Sequence, residues 1–166
     1  AKEMDLIIGD RVEHTFVPMR NALFLVIAAN RAFKLKCLSI VIGVCQQDNA
    51  NYPDCTNAFI DAANIMIRRC VDNTDTYLCI ETPLMTLTKE EGIILARSLP
   101  GCWEALAYSH TSYAGEYPPV DKNHANVLRA DGFEKSGFPD PLIVRAYQEN
   151  LMELPETSNY DCMRNK

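Results

Sequence analysis

The stretch Ile40–Cys55, reading IVIGVCQQDNANYPDC, constrains the fold more than any other part of the chain. An apolar, β-branched run gives way to amides, an aspartate and a Tyr-Pro-Asp turn, and a helical pattern follows directly. A buried strand, a polar loop at its carboxyl end and then a helix start is the order in which open α/β sheets place their ligands. Leu38–Val44 is continuously apolar apart from Ser39 and Gly43, as in a parallel strand covered on both faces.

The flanking segments extend that alternation. Residues 1–19 read as a polar lead-in that ends in Val17-Pro18, a non-helical entry. Residues 20–35 are apolar almost all round, which predicts a helix buried against a sheet. Phe59, Ala62, Ala63, Met66, Ile67 and Cys70 recur at the spacing of one helical face, with Asp61, Arg68 and Arg69 off it, and Asp54 or Thr56 is placed to cap that helix. Tyr77–Glu81 predicts a second strand. Thr88-Lys-Glu-Glu91 fits a capping box for a helix running to Ser98, before Pro100-Gly101 stops it. A loop of Ser, Gly, Tyr and Pro spans 109–122. A helix over 123–136 follows, closed by Gly137, with a further helix over 141–154 and a frayed last dozen residues. The expected architecture is α/β: a Rossmann-like parallel sheet flanked by helices, with a helical C-terminal part. One domain covers 1–166, with an α/β core over 15–108 and the loop plus helical region over 109–166.

Composition narrows the function. At 166 residues and 48% hydrophobic content the chain is long enough to bury a substantial core. Its net charge of −6 and lack of a basic stripe argue against a nucleic-acid partner. The seven cysteines, at 37, 45, 55, 70, 79, 102 and 162, include no Cys-x-x-Cys pair. Several sit in apolar runs, as reduced, buried thiols of a cytoplasmic enzyme would. The longest apolar run, Ala22 to Ala29, is too short to span a bilayer, and no signal peptide is seen.

Four segments in order carry a family resemblance: FVPMRNALFL (16–25), IVIGVCQQDNANYPDC (40–55), ETPLMTLTKEE (81–91) and VLRADGFEKSGFPDP (127–141). Together they resemble the 7-cyano-7-deazaguanine synthases, of the PP-loop or adenine nucleotide α-hydrolase-like superfamily. The resemblance implies that superfamily's Rossmann-like fold. It also implies ATP-driven chemistry with Mg²⁺: adenylation of 7-carboxy-7-deazaguanine, attack by ammonia to give the amide, and a second ATP-driven round that dehydrates the amide to the nitrile. The implied partners are small molecules, with a homodimer or a complementing chain open.

Physical chemistry gives the matching residues roles in that reaction. Adenylation loads negative charge on phosphoryl oxygens, so cationic groups and helix N-termini should face them. Lys89, at a helix start, suits a phosphate, and Arg20 and Asn21 open the first helix with planar donors for phosphate or deazapurine. Asp48 and Asp54 suit a guanine-like edge, whose ring N–H and exocyclic amine are donors, and Tyr52 can stack on the flat heterocycle. Arg20 and Lys89 are thus the catalytic candidates, and Asn21, Asp48, Tyr52 and Asp54 the substrate-binding ones. Each also has an ordinary structural reading: Lys89 as a solvated first-turn residue, Arg20 and Asn21 as a helix cap, Tyr52-Pro53 as a turn, and Asp54 as a cap. Cys55 reads as a small packed residue.

The chain departs from the family pattern at two places. Nothing in residues 1–19 resembles the family's Ser-Gly-Gly-x-Asp-Ser loop that holds ATP phosphates. Either that segment lies outside this sequence, or another chain supplies it, or ATP use has been lost. Counting back from Leu128-Arg129, the positions of the family's four zinc cysteines hold Ser112, Val120, Asn123 and Asn126. Those residue types do not replace thiolates, so the expectation is no structural zinc, with Pro-Pro stiffening and local hydrogen bonds holding the loop. Met19 stands where many relatives have glycine, and Asn49-Ala50-Asn51 replaces an aromatic-Ser-Gly, a divergence that looks like bacteriophage versions acting in the host cytoplasm. Three functions compete: a deazapurine carboxylate synthase, a catalytically inactive binding protein on the same scaffold, and one half of a split enzyme.

Overall fold

The computed structural model describes residues 17–45, 52–71, 77–120 and 123–164. The chain forms two compact units, the first ending at Thr86 and the second starting at Leu87. Each is described in turn.

In the first unit, helix α1 (Arg20–Lys34) leads into strand β1 (Ser39–Val41), and helix α2 (Asn57–Cys70) leads into strand β2 (Cys79–Glu81). The strands pair in parallel, with Ser39 opposite Cys79, Ile40 opposite Ile80 and Val41 opposite Glu81. A strand–helix–strand crossover is the α/β alternation expected, and parallel pairing requires such a connection. Both strands are shorter than predicted from 38–44 and 77–81. The outward-facing Ile80 N–H, which β1 cannot reach, donates to the Asn64 side chain of α2 (2.9 Å). That bond ties helix to sheet and satisfies a main-chain donor that would otherwise be orphaned.

The core of this unit joins Leu25, Ala29 and Ala32 of α1, Ile60, Ala63 and Ile67 of α2, and Val44, Cys55, Leu78, Ile80 and Met85. Two expectations need correction here. Helix α1 is not buried all round: Leu23, Phe24, Val26 and Ile27 are exposed and only one stripe meets the core. Of the predicted face of α2, Ala63 and Ile67 are buried and Phe59 packs against the core; Ile60 joins them, while Met66 and Cys70 are exposed. Thr56, not Asp54, caps α2, its hydroxyl accepting from Phe59 N–H (3.2 Å). Beyond α1 the chain reverses at Lys36, which adopts φ +57°, while Cys37 N–H reaches back to the Ala32 carbonyl (2.9 Å).

In the second unit, α3 (Lys89–Ser98), the short α4 (Cys102–Leu106), α5 (His124–Ser136), α6 (Pro141–Gln148) and the short α7 (Asp161–Arg164) form a helical assembly. The capping box is present: Thr88 accepts from Glu91 N–H (3.1 Å) and Glu91 from Thr88 N–H (2.9 Å). Asn123 caps α5, and Gly137, at φ +74°, closes it as predicted. Helices α3 and α5 approach closely because residue 132 is glycine; a Cβ there would lie 2.9 Å from Lys89 Cβ and 3.1 Å from Ile93 Cδ1.

Helix α6 stops at Gln148 rather than continuing to 154, as Asn150 turns to φ +57°. As far as Arg164 the tail is ordered rather than frayed. Tyr160 and Asn159 are buried; the Tyr160 hydroxyl accepts from Asp140 N–H (3.2 Å) and Asn159 Nδ2 donates to the Phe138 carbonyl (3.0 Å). Arg164 then binds the carbonyls of Pro155, Glu156 and Thr157. Burial pushes the Tyr160 phenol up to about 12.

A buried ion pair organises this unit. Arg129 Nε and Nη2 donate to the two oxygens of Asp140 (2.5 and 2.8 Å), while Nη1 donates to Ser109 Oγ (2.7 Å) and Nη2 also to the Leu106 carbonyl (3.1 Å). Asp140 also caps α6 through Leu142 N–H (2.9 Å). With side chains 12% and 4% exposed, the pair is stabilised by its two-pronged geometry and by satisfaction of its remaining hydrogen bonds.

Candidate functional site

Arg20 and Asn21 are the first two residues of α1, and Tyr52 begins the 3₁₀ turn Pro53–Cys55 in the polar connection after β1. The fold brings Asn21, Asp54 and Cys55 together from segments more than thirty residues apart. Asn21 N–H donates to Asp54 Oδ2 (3.1 Å), and Asn21 Nδ2 donates to the Asp54 carbonyl (3.1 Å) and to Cys55 Sγ (3.3 Å). Asp54 and Cys55 are buried, Arg20 and Asn21 half-buried, and Tyr52 packs against the core of the unit.

This geometry has a local cause. The N-cap of α1 is Met19, which lies at φ +63° and offers no side-chain acceptor. The first-turn donor at Asn21 therefore takes its acceptor from the Asp54 carboxylate, whose charge also complements the positive end of the helix dipole. The capping role suggested for Asp54 is thus fulfilled on α1 instead of α2. Cys55, read as a packing residue, is in addition a hydrogen-bond acceptor for Asn21.

Asp48 lies outside the described residues. Lys89 is the first residue of α3, half-buried, in the second unit. An open apolar groove of about 450 Å³ on the first unit, lined by residues such as Val26, Phe33, Met66 and Ile67, includes none of the candidate residues.

Of the four positions where the resemblance implies zinc cysteines, Ser112, Asn123 and Asn126 join a hydrogen-bonded network. Asn123 Oδ1 accepts from Asn126 N–H (2.8 Å), and Asn123 Nδ2 donates to the Thr111 carbonyl (3.3 Å). Thr111 Oγ1 donates to Asn126 Oδ1 (2.6 Å). Ser112 Oγ accepts from Glu116 N–H (3.3 Å), and His110 bridges Ser112 N–H (3.2 Å) and the Glu116 carbonyl (2.6 Å). With Nδ1 accepting from an amide, the Nε2 position carries the proton. Val120 is exposed and has no donor atom. This set does not fit a tetrahedral zinc ion, because a neutral hydroxyl, two neutral amides and a valine cannot supply its charge or its four ligands. Among the described residues no cluster of three or more His, Cys, Asp or Glu could hold a metal.

Sequence reasoning did not single out Thr111 or His110; the Asn-x-x-Asn spacing at 123–126, a cap and its recipient, was the available signal. The loop is fastened further by Arg145 of α6. Its guanidinium lies over the Tyr108 ring (4.6 Å) and the Tyr117 ring (4.2 Å) and donates to Tyr117 Oη (2.8 Å) and the Ala107 carbonyl (2.8 Å). Desolvation, and a hydrogen bond to Glu149, raise the Tyr117 phenol pKa against the lowering influence of Arg145.

Comparison with known proteins agrees with the ordered motifs. The chain is 46% identical over 133 residues to the 7-cyano-7-deazaguanine synthase of Gloeobacter violaceus, covering 79% of this chain and 57% of that protein. The synthase of the same name from Chromobacterium violaceum is 41% identical over 140 residues, covering 84% of this chain and 58% of the relative. That from Laribacter hongkongensis is 42% identical over 132 residues, covering 80% and 56%. The chain thus spans less than three-fifths of the length of these relatives. No helix among the described residues is long and apolar enough to cross a membrane. Residues 2–137 match the family described as queuosine biosynthesis protein QueC, and the chain, with its parallel sheet and flanking helices, belongs to that family and its PP-loop, Rossmann-like fold class.

Proposed function

We propose that the protein takes part in the conversion of 7-carboxy-7-deazaguanine and ammonia to 7-cyano-7-deazaguanine, at the expense of ATP with Mg²⁺, in the cytoplasm. The observation that carries this reading is the identity of 41–46% to proteins named for that product across some four-fifths of the chain. In the reaction, the substrate carboxylate attacks the α-phosphorus of ATP and pyrophosphate leaves. Ammonia then displaces AMP to form the amide, and a second adenylation on the amide oxygen lets AMP depart as the nitrile forms.

The chain's own residues suit parts of this sequence. Lys89, the first residue of α3, offers a cation for phosphate oxygens. Arg20, at the N-terminus of α1, offers a planar donor for a carboxylate or phosphate. Asp48 pairs with the guanine-like edge and Tyr52 stacks on the ring, while Asn21 and Asp54 hold each other at the start of α1. Structural zinc is not part of this reading.

The test combines binding with turnover. The protein should bind 7-carboxy-7-deazaguanine by calorimetry, and bind guanine at least about tenfold more weakly because the carboxylate's charge-assisted bonds are missing. With ATP, Mg²⁺ and ammonia it should release pyrophosphate and form the amide and nitrile. No binding together with background pyrophosphate would reject the proposal.

A further inference from the structure

The carboxylate of Asp54 faces two different demands. A guanine-like edge asks for two acceptors on one exposed carboxylate, since it presents two N–H donors side by side. The fold, however, buries Asp54 to 8% exposure and uses Oδ2 to accept from Asn21 N–H at 3.1 Å. The carbonyl of the same residue accepts from Asn21 Nδ2 at 3.1 Å, and that amide also reaches Cys55 Sγ at 3.3 Å. Three bonds between one residue of α1 and two adjacent residues of the 3₁₀ turn make a clasp.

The clasp has a definite load on each side. Arg20 immediately precedes Asn21, so the clasp fixes where the Arg20 backbone leaves the turn at Met19. Tyr52, whose carbonyl accepts from Cys55 N–H (3.0 Å), immediately precedes the clasped turn and packs on the core. Because Met19 supplies no side-chain cap, nothing on α1 itself would replace the Asp54 oxygen.

From this geometry we infer that Asp54 is a positioning residue, which serves deazapurine binding by clasping the start of α1 and so orienting Arg20 and Tyr52, and does not itself touch the ligand. The inference rests on the deazapurine reading above. It leaves recognition of the guanine-like edge to an acceptor other than Asp54, and gives Asn21 the reciprocal half of the clasp.

Asp54→Asn separates the two roles. Asparagine is as good a cap as aspartate and keeps one oxygen for the Asn21 amide, whereas it would present an N–H₂ group to a ligand donor. Two readouts are taken on the full chain: affinity for 7-carboxy-7-deazaguanine, and hydrogen exchange at the Asn21 amide, which needs no ligand. The expected result is that Asp54→Asn keeps binding within about threefold and keeps Asn21 protected, while Asp54→Ala weakens binding about fivefold and speeds exchange at Asn21 by a similar factor. Should Asp54→Ala fail to fold, Asp54→Asn alone decides: retained affinity supports the clasp. A loss of more than about tenfold in Asp54→Asn with Asn21 still protected would overturn it, since the carboxylate would then be a ligand contact. Absence of binding in the unmodified chain would overturn the deazapurine reading and this role together, and the exchange data would still distinguish that failure from loss of the clasp.

Discussion

Gly92 and Gly132 are both helix residues, yet the structure gives the same substitution opposite signs at the two sites. Nothing lies within 4 Å of a Cβ at Gly92. Gly92→Ala should therefore realise the helix-propensity gain alone, about 1 kcal/mol of added stability. At Gly132 the same gain is opposed by a contact of 2.9 Å to Lys89 Cβ and 3.1 Å to Ile93 Cδ1. The first of those atoms is fixed to the α3 backbone and cannot swing away, so the helix must shift. Overpacking of this kind costs about 1–3 kcal/mol. A cost near the middle of that range leaves Gly132→Ala destabilised by about 1 kcal/mol, and the two variants should differ by about 2 kcal/mol. Urea unfolding at fixed pH reads this as midpoints moving in opposite directions with an unchanged m-value. If both variants shift upward by equal amounts, α3 and α5 are not packed through residue 132, and the placement of Lys89 against α5 fails with it.

Other outcomes follow from single features of the second unit. Arg129→Met should cost about 3–5 kcal/mol by leaving the Asp140 carboxylate buried without its cation, measured by chemical denaturation. Loss below 1 kcal/mol would mean that the pair is solvated. Because burial raises the Tyr160 phenol from 10.0 to about 12, the native state keeps that proton while the unfolded chain loses it between those values. The resulting stability is complete below pH 10 and falls as pH rises towards 12, by an amount on the order of 2 kcal/mol. Tyr160→Phe should flatten this alkaline slope, and an unchanged slope would contradict the buried placement. Thr88→Ala should cost about 1 kcal/mol through loss of the capping box, and Asn123→Ala a similar amount at the start of α5. Treatment with a zinc chelator should leave the thermal midpoint of the unmodified protein in place, and a fall of several degrees would reveal a metal that the amide network does not account for.

Local signals in the sequence were reliable where the interaction they encode is itself local. The Thr88–Glu91 box and the Gly137 stop each involve residues within a few positions of each other, and both are present as read. The parallel α/β alternation was also legible, since an apolar run followed by a helix pattern has few alternatives. The buried stripe of α2 is legible only in part, Ala63 and Ile67 but not Ile60, because apolar residues cover most of the helix surface. Phe59, Ala62, Met66 and Cys70 keep the same spacing as Ile60, Ala63 and Ile67, and only the position of the sheet chooses between them. The tail was misread for a related reason. Tyr160 and Asn159 are held by Asp140 and Phe138, some twenty residues away, so no local pattern announces their burial.

The same distinction explains why the candidate site was legible in its residues but not in their roles. Arg20, Asn21, Tyr52 and Asp54 were found through ordered motifs, and a motif records that a residue type is needed without recording for what. Both readings of Asp54 require a side-chain oxygen at that position, one needing two acceptors for a ligand edge and the other a single acceptor for the start of a helix. The second became visible only when a donor thirty-three residues earlier was seen at 3.1 Å. The loop at 109–120 makes the complementary case. There the thiolates expected from the family are replaced, yet Thr111, Asn123 and Asn126 join the loop to the start of α5 through bonds of 2.6–3.3 Å. A zinc ion would impose one closed geometry by four strong ligands; the network divides the same task among a helix cap and two side-chain contacts, each worth about 1 kcal/mol. Such a loop should loosen by degrees when its members are removed one at a time, and stepwise amide exchange across Thr111–Glu116 in single and double alanine variants would distinguish it from a loop released all at once.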